Sequence, residues 1–153
     1  MSRGMSNTRV GTKVRVAAVA MFALAAAVVS VSVMAQGKTV WDGVYTEAQA
    51  KRGEQLFAQR CAQCHSGDLH GTDLAPALIG EQFGENWDDT TLDSLFEIMR
   101  VTMPQDQPGG VPRELMVDVL AFMLQRGGFP AGAAALLGQR DPLSQIKYVS
   151  RKP

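Results

Sequence analysis

The chain has 153 residues, 46% of them hydrophobic, and its 15 basic and 15 acidic side chains cancel to a formal net charge of zero. The lack of a basic excess argues against a nucleic-acid partner, because such partners select a basic face. The length suits a leader and one small domain.

Arg3, Arg9, Lys13 and Arg15 form a basic head without an acidic residue, and an apolar run from Val16 to Val33 follows, broken only by Ser30 and Ser32. Val33-Met34-Ala35 is a small-x-small cleavage pattern, so residues 1–35 are expected to be a secretory signal directing the protein to the periplasm. Cleavage there would leave Gln36 first. The alternative is an uncleaved membrane anchor, although 18 helical residues rise only about 27 Å against a hydrocarbon core of ~30 Å. Removing the leader takes four basic and no acidic residues, leaving 11 basic against 15 acidic, a net charge of −4 on 118 residues. A domain that small buries limited apolar area and would gain from a bound apolar group.

Residues 36–45, with Trp41, Gly43 and Tyr45, read as an extended lead-in. Thr46 has the character of an N-cap, with Gln49 completing a capping box, and a helix over 47–60 follows. Gly53 in its interior costs about 1 kcal/mol relative to Ala; a close backbone contact or plain tolerance would account for it. Phe57, one turn on, shares its face.

The helix runs directly into Cys61-Ala62-Gln63-Cys64-His65, the C-x-x-C-H signature of c-type haem attachment. Two thiols three positions apart on one turn can reach the two vinyl groups of a porphyrin and form thioethers. The imidazole that follows is the candidate proximal iron ligand. Both cysteines of the chain are consumed by this motif. Two other readings compete. A thioredoxin-like redox disulfide needs a βαβ context, and no alternating strand pattern surrounds the segment. A zinc site from Cys61, Cys64, His65 and His70 has enough ligands, but adjacent Cys64 and His65 would have to converge on one small ion.

The stretch from Ser66 to Gly84 mixes Gly67, Gly71, Pro76 and Gly80 with Leu74, Ala77, Leu78 and Ile79, and reads as a coil pressed against something flat and hydrophobic. Thr90 or Thr91 then caps a helix over 92–100, with Asp93 in the first turn suiting the dipole and Leu92, Leu95, Phe96 and Met99 forming one apolar face. A non-helical loop follows from Met103 to Gly110. Pro112 sits where a first-turn proline belongs, opening an apolar helix over 113–126 that stops at Gly127-Gly128. No strand pair and no internal repeat are expected. The mixed tail over 129–153 suggests a helical turn over 131–137 and coil over 141–153.

A second axial ligand must come from His70 or from methionines 99, 103, 116 and 123. His70 is five residues beyond His65, on the same side of the ring, and reads as a surface residue. Met116 and Met123, seven apart on the apolar helix, carry the signature of core packing, as does Met99 among its leucines. Met103 lies 38 residues after His65 in a loop, before a proline that biases it toward extended backbone. It is therefore the candidate sixth ligand. Imidazole with thioether raises the reduction potential and fills both axial positions, which points to electron transfer and disfavours O₂ or peroxide chemistry.

Taken in order, Gly53-x-x-x-Phe57, Cys61-Ala-Gln-Cys-His65, Ala75-Pro-Ala-Leu78, Thr102-Met-Pro104 and the late helix closing on Gly127-Gly-Phe-Pro-Ala-Gly132 resemble the class I mono-haem cytochromes c. The chain looks most like the small cytochrome c domains found beside, or fused to, periplasmic quinoprotein (PQQ-dependent) dehydrogenases, over about Val40 to Gly132. The resemblance implies an all-α fold of three to five short helices wrapped around one covalent haem, held by Cys61, Cys64, His65 and Met103, the last two on iron. It implies a cytochrome domain over 36–132 with a tail over 133–153. It further implies terminal helices that cross near Gly53 and Phe122, and a backbone carbonyl near Pro76 that accepts the Nδ1–H of His65. Trp87 would lie at the propionate edge or plug the core. By analogy the partners are redox proteins: a quinoprotein dehydrogenase as donor, and a terminal oxidase or other cytochrome as acceptor. A membrane enters only if the leader stays uncleaved. The expectation is a non-enzymatic carrier of single electrons; the competing reading is a haem catalyst or gas sensor with an open distal site.

Overall fold

A computed structural model of the protein describes residues 37–153, with Met1 alone before them; the expected leader and its cleavage site lie outside the described residues. Gly37–Pro153 is one compact unit. It is all-α: β1 (Lys38–Thr39), a 3-10 turn (Val40–Asp42), α1 (Glu47–Arg60), α2 (Ala62–His65), α3 (Glu81–Trp87), α4 (Leu92–Thr102), α5 (Arg113–Arg126), α6 (Arg140–Ser144) and β2 (Ile146–Lys147). Among these residues no helix is long and apolar enough to cross a membrane.

Three helices start and stop close to where their sequence places them, although the Gln49 side chain expected to complete a capping box with Thr46 bonds Leu136 instead. The Thr46 hydroxyl accepts from the N–H of Gln49 at 3.2 Å, and that of Thr91 accepts from Ser94 at 3.3 Å; each satisfies one of the orphan donors of a first turn. Pro112 serves as the N-cap of α5, one position before the first turn where it was expected, and its carbonyl accepts from Leu115 and Met116 at 3.0 and 2.9 Å. α4 runs two residues beyond the expected end, closing where Met103 donates to Met99 at 3.0 Å.

Other segments depart from the expectation. The stretch read as continuous coil contains α3. The lead-in is a single 3-10 turn flanked by a strand, and residues 131–137 hold no helix. The tail is ordered where coil was expected. It carries α6 and β2, and β2 pairs in parallel with β1, Lys38 facing Ile146 and Thr39 facing Lys147. Leu136, Leu143, Ile146 and Tyr148 are buried in the core.

The framework is the packing of α1 on α5. Gly53 is buried, and a methyl group there would overlap the Asp118 carbonyl and sit 2.9 Å from the Val119 nitrogen. Close contact is thus the reason for this glycine. The crossing falls at Asp118–Val119, one turn before Phe122, whose ring packs on Phe57 with centroids 5.4 Å apart. Beside it, the carboxylate of Asp118 is buried and takes two bonds from Arg52, Nε to Oδ2 at 2.7 Å and Nη2 to Oδ1 at 3.0 Å. Such fork geometry satisfies a carboxylate that would be costly to bury alone.

A second charged cluster joins α4 to α5. Glu97 accepts from Arg100 at 2.8 and 3.1 Å and from Arg113 at 2.6 Å. The Arg100 hydrogen bonds, then those of Arg113, hold its carboxyl down at about 2.

Two predictions follow from this packing. Gly53→Ala should force α1 from α5 and cost about 3 kcal/mol of stability, read from urea unfolding of the holo-protein; a loss under about 1 kcal/mol would refute the close contact. Because its folded pKa is depressed, the stability supplied by Glu97 is complete above pH 4.5, its ordinary value, and is lost as pH falls toward about 2. Glu97→Gln should therefore flatten the acid limb of a melting-temperature-versus-pH curve, and an unchanged limb would remove Glu97 from the account.

Candidate functional site

α1 sets the direction from which the C-x-x-C-H turn projects. At Cys61 the backbone leaves helical geometry while its N–H still bonds Phe57 O at 2.9 Å. The Cys61 carbonyl then accepts from Cys64 at 3.2 Å and from His65 at 3.0 Å, winding the short turn α2. Cys61, Cys64 and His65 are thereby held on one turn. Both thiols are free, Cys61 half-buried and Cys64 exposed.

Burial pushes the Cys61 thiol up to about 11, with Arg60 pulling it down and Cys64 pushing it further up. The thioredoxin-like reading fails on context, because the motif lies between α1 and α2 and not in the βαβ unit such a disulfide needs. The zinc reading fares no better: among the described residues no group of three or more His, Cys, Asp or Glu is placed to hold a metal ion. His70 is exposed, its backbone N–H bonded to Asp68 at 3.1 Å, so it is the surface residue expected.

His65 is buried, 7% exposed. Its Nδ1 lies 2.8 Å from the Pro76 carbonyl oxygen. A carbonyl only accepts, so Nδ1 carries the proton and Nε2 presents its lone pair, the tautomer a metal ligand needs. Pro76 is brought there by a tight loop. Gly71 N–H bonds His65 O at 3.0 Å, Thr72 Oγ1 donates to Cys64 O at 2.5 Å, and Leu78 N–H bonds Leu69 O at 2.8 Å. Gly71 has φ +80°, and a Cβ there would lie 2.6 Å from Ala77 N and 2.7 Å from Pro76 C. Only glycine lets the loop close this far. Leu69, fully buried with φ +68°, pins its base.

Met103 arrives from a different element. It caps α4 with φ −115° and ψ 151°, the extended backbone that a following proline imposes. Its side chain is half-buried. Arg60, the residue before Cys61, donates to Gln107 Oε1 at 3.1 Å, so the loop after Met103 is tied to the start of the C-x-x-C-H turn. Met116 and Met123 are core residues at 3% and 4% exposure. Met99, Leu78, Ile79 and Trp87 are half-covered apolar side chains packed against the core, and Trp87 lies against Phe83 with centroids 6.2 Å apart.

These residues fit a covalently bound haem. Two unpaired thiols and a histidine of the correct tautomer share one turn, and several apolar side chains packed against the core are only partly buried. The roles of Gly71 and of the Arg60–Gln107 tie were not legible in the sequence. Gly71 was one of several loop glycines, and a contact 47 residues apart in sequence leaves no local pattern.

Residues 48–123 match the family described as cytochrome C oxidase, cbb3-type, subunit III. Cytochrome c-551 of Bacillus subtilis (strain 168) is 36% identical over 63 residues, which are 41% of this chain and 54% of that protein, so the match spans about half of its length. The sulfane dehydrogenase SoxCD from Paracoccus pantotrophus is similar at a TM-score of 0.49 and 19% identity, over 70% of this chain and 61% of that one.

The loop geometry makes a prediction of its own. Gly71→Ala should push the Ala75–Ala77 backbone away from His65 and destabilise the holo-protein by about 2 kcal/mol. Proton NMR should show faster solvent exchange of the His65 Nδ1–H; a signal protected as in the wild type would mean that Pro76 is held by other contacts.

Proposed function

This chain carries a c-type cytochrome domain with the all-α cytochrome c-like fold, and on that premise we propose that it is an exported carrier of single electrons. Cys61 and Cys64 would hold the haem through thioethers, with His65 and Met103 on iron. Bound there, the haem supplies one reversible electron through its ferrous and ferric states.

The observation that carries this reading is the 2.8 Å contact between His65 Nδ1 and Pro76 O. It orients the imidazole, fixes which nitrogen faces the metal, and raises the basicity of that nitrogen. Met103 supports it from a different element. Its backbone is fixed by α4 and Pro104, and the Arg60–Gln107 bond draws its loop toward the cysteine turn. Thioether sulfur is a soft, neutral ligand that favours the reduced metal, so the pair suits a carrier of moderately high potential. Held by both His65 and Met103, the haem would offer an added gas or peroxide no free place to bind.

The leader directs this function outside the cytoplasm, with Arg3, Arg9, Lys13 and Arg15 as its basic head and Val33-Met34-Ala35 as its cleavage pattern. The partners we assign are redox proteins. A quinoprotein dehydrogenase would give up one electron at a time, and a terminal oxidase or another cytochrome would accept it.

Visible spectra of protein made in a host with a c-type haem maturation system test the proposal. The wild type should show sharp reduced bands and, when oxidised, a weak far-red sulfur–iron band. Met103→Leu should keep the haem covalently attached, abolish the far-red band and lower the potential. Covalent haem with no far-red band in the wild type would reject Met103 and favour a catalyst or sensor with an open site; colourless protein would reject the haem itself.

A further inference from the structure

The segment beyond α5 lies outside the matched residues 48–123, yet it makes some of the most specific contacts in the domain. The first is at Leu136, whose N–H donates to Gln49 Oε1 at 2.8 Å and whose carbonyl accepts from Gln49 Nε2 at 2.9 Å. Gln49 is a buried amide, 2% exposed, and these bonds satisfy it from both ends. Next, Arg113 donates to Gly138 O at 2.5 Å with one nitrogen and to Glu97 of α4 with another. Arg140 of α6 then lies 3.7 Å from Asp93 of α4. Leu143 is fully buried. Finally the chain crosses the turn between α3 and α4: Tyr148 N–H bonds Thr90 O and Asp89 N–H bonds Tyr148 O, both at 2.8 Å. Trp41 Nε1 secures the end by donating to Val149 O at 2.8 Å.

These contacts converge on one helix. Asp93 and Glu97, four residues apart, share a face of α4, and both are reached by the segment, directly or through Arg113. Thr90, at the entrance to α4, is clamped by Tyr148. The other end of α4 carries Met103. An eleven-residue helix is a rod of roughly 16 Å, so a displacement at Thr91 is transmitted to its far end.

We propose that the strap Leu136–Val149 is a positioning element for the sixth ligand: it fixes α4 at its entrance and along its Asp93–Glu97 face, and so holds Met103 on the iron. The proposal rests on the reading of Met103 as an iron ligand. The strap is anchored on the lead-in by Trp41 and on α1 by Gln49, and α1 also sets the C-x-x-C-H turn, so both proposed ligands are referred to that one helix.

The test uses full-length holo-protein with two strap-releasing substitutions, Gln49→Leu and Trp41→Phe. The first leaves the amide and carbonyl of Leu136 unpaired; the second removes only the indole donor and keeps an aromatic ring against Phe129. Cyanide binding to the ferric protein reads how often the sixth position opens. The far-red band reads the sulfur–iron bond, and urea unfolding reads the fold. Each variant should bind cyanide about tenfold faster than the wild type, with a weakened far-red band and covalent haem intact. In a Met103→Leu background the same substitutions should change cyanide binding less than about twofold, because no sulfur is left to displace. If Met103→Leu speeds cyanide binding while the strap variants stay at the wild-type rate, the strap only packs and the proposal fails. If Met103→Leu itself leaves the rate unchanged, Met103 is not the ligand and the strap has nothing to position. Should Gln49→Leu not fold, the milder Trp41→Phe decides between these outcomes alone.

Discussion

The close contact of α1 with α5 at Gly53 is the constraint on which the rest of the structure depends. Without a side chain at that position, the helix backbones meet at Asp118–Val119. The approach lets Phe57 reach Phe122 and lets Arg52 fork onto a carboxylate that would otherwise be buried without a counterion. Since α1 is continuous to Arg60, its crossing on α5 sets the place where Cys61 leaves the helix and where the His65 imidazole points. Small domains have few ways to fix a side chain to a fraction of an ångström; a rigid helix pinned at its middle is one of them.

The second half of the site is built on the first. The His65 carbonyl and the Cys64 carbonyl accept from Gly71 and Thr72, so the turn that carries the thiols also organises the loop that delivers Pro76. This reciprocity makes the Nδ1–Pro76 contact a property of the whole 61–78 segment. A carbonyl offered by backbone cannot change rotamer, so the imidazole orientation it selects is fixed by the fold of that segment. On the proposed function this matters, because a carrier whose ligand could turn would have a drifting potential.

Cap chemistry made the starts of α1 and α4 legible, at Thr46 and at Thr90 or Thr91, an apolar stripe made α4 legible, and Pro112 with Gly127-Gly128 bounded α5. The thiols and imidazole were legible because their chemistry is contained in five consecutive residues. What escaped notice was either short or non-local. α3 is seven residues long, opens after Gly80 with no side-chain cap and contains Gly84, so of two glycines that read as loop punctuation one precedes a helix and the other lies inside it. The β1–β2 pair is two residues per strand joined across more than a hundred residues of chain, where no alternation can register. Asp118 broke no pattern in a helix read as buried on most sides, and its role appears only with Arg52 66 residues away. The tail read as coil because its order comes from partners: Gln49, Trp41, Thr90 and Arg113 lie between 25 and 108 residues from the backbone atoms they hold.

That distribution of contacts bears on how the domain divides its labour. α1 and α5 give one face of the site a framework that is dry, close-packed and insensitive to solvent. α4 has less of this support. Its charged face is exposed enough to rely on Glu97, Arg100 and Arg113, surface ion pairs of the kind that contribute little individually and weaken with salt. A helix held only that way would let a thioether ligand, which binds iron more weakly than imidazole, come and go. The strap adds to those contacts backbone hydrogen bonds at Thr90 and a fully buried leucine at position 143, interactions that ionic strength does not screen. On the proposed function, the hold on the sixth ligand would thus depend on salt less than association with charged partners, which acts through the exposed and net-negative surface. The two would then be separable in one titration with ionic strength, because their physical origins lie on different sides of the solvent boundary.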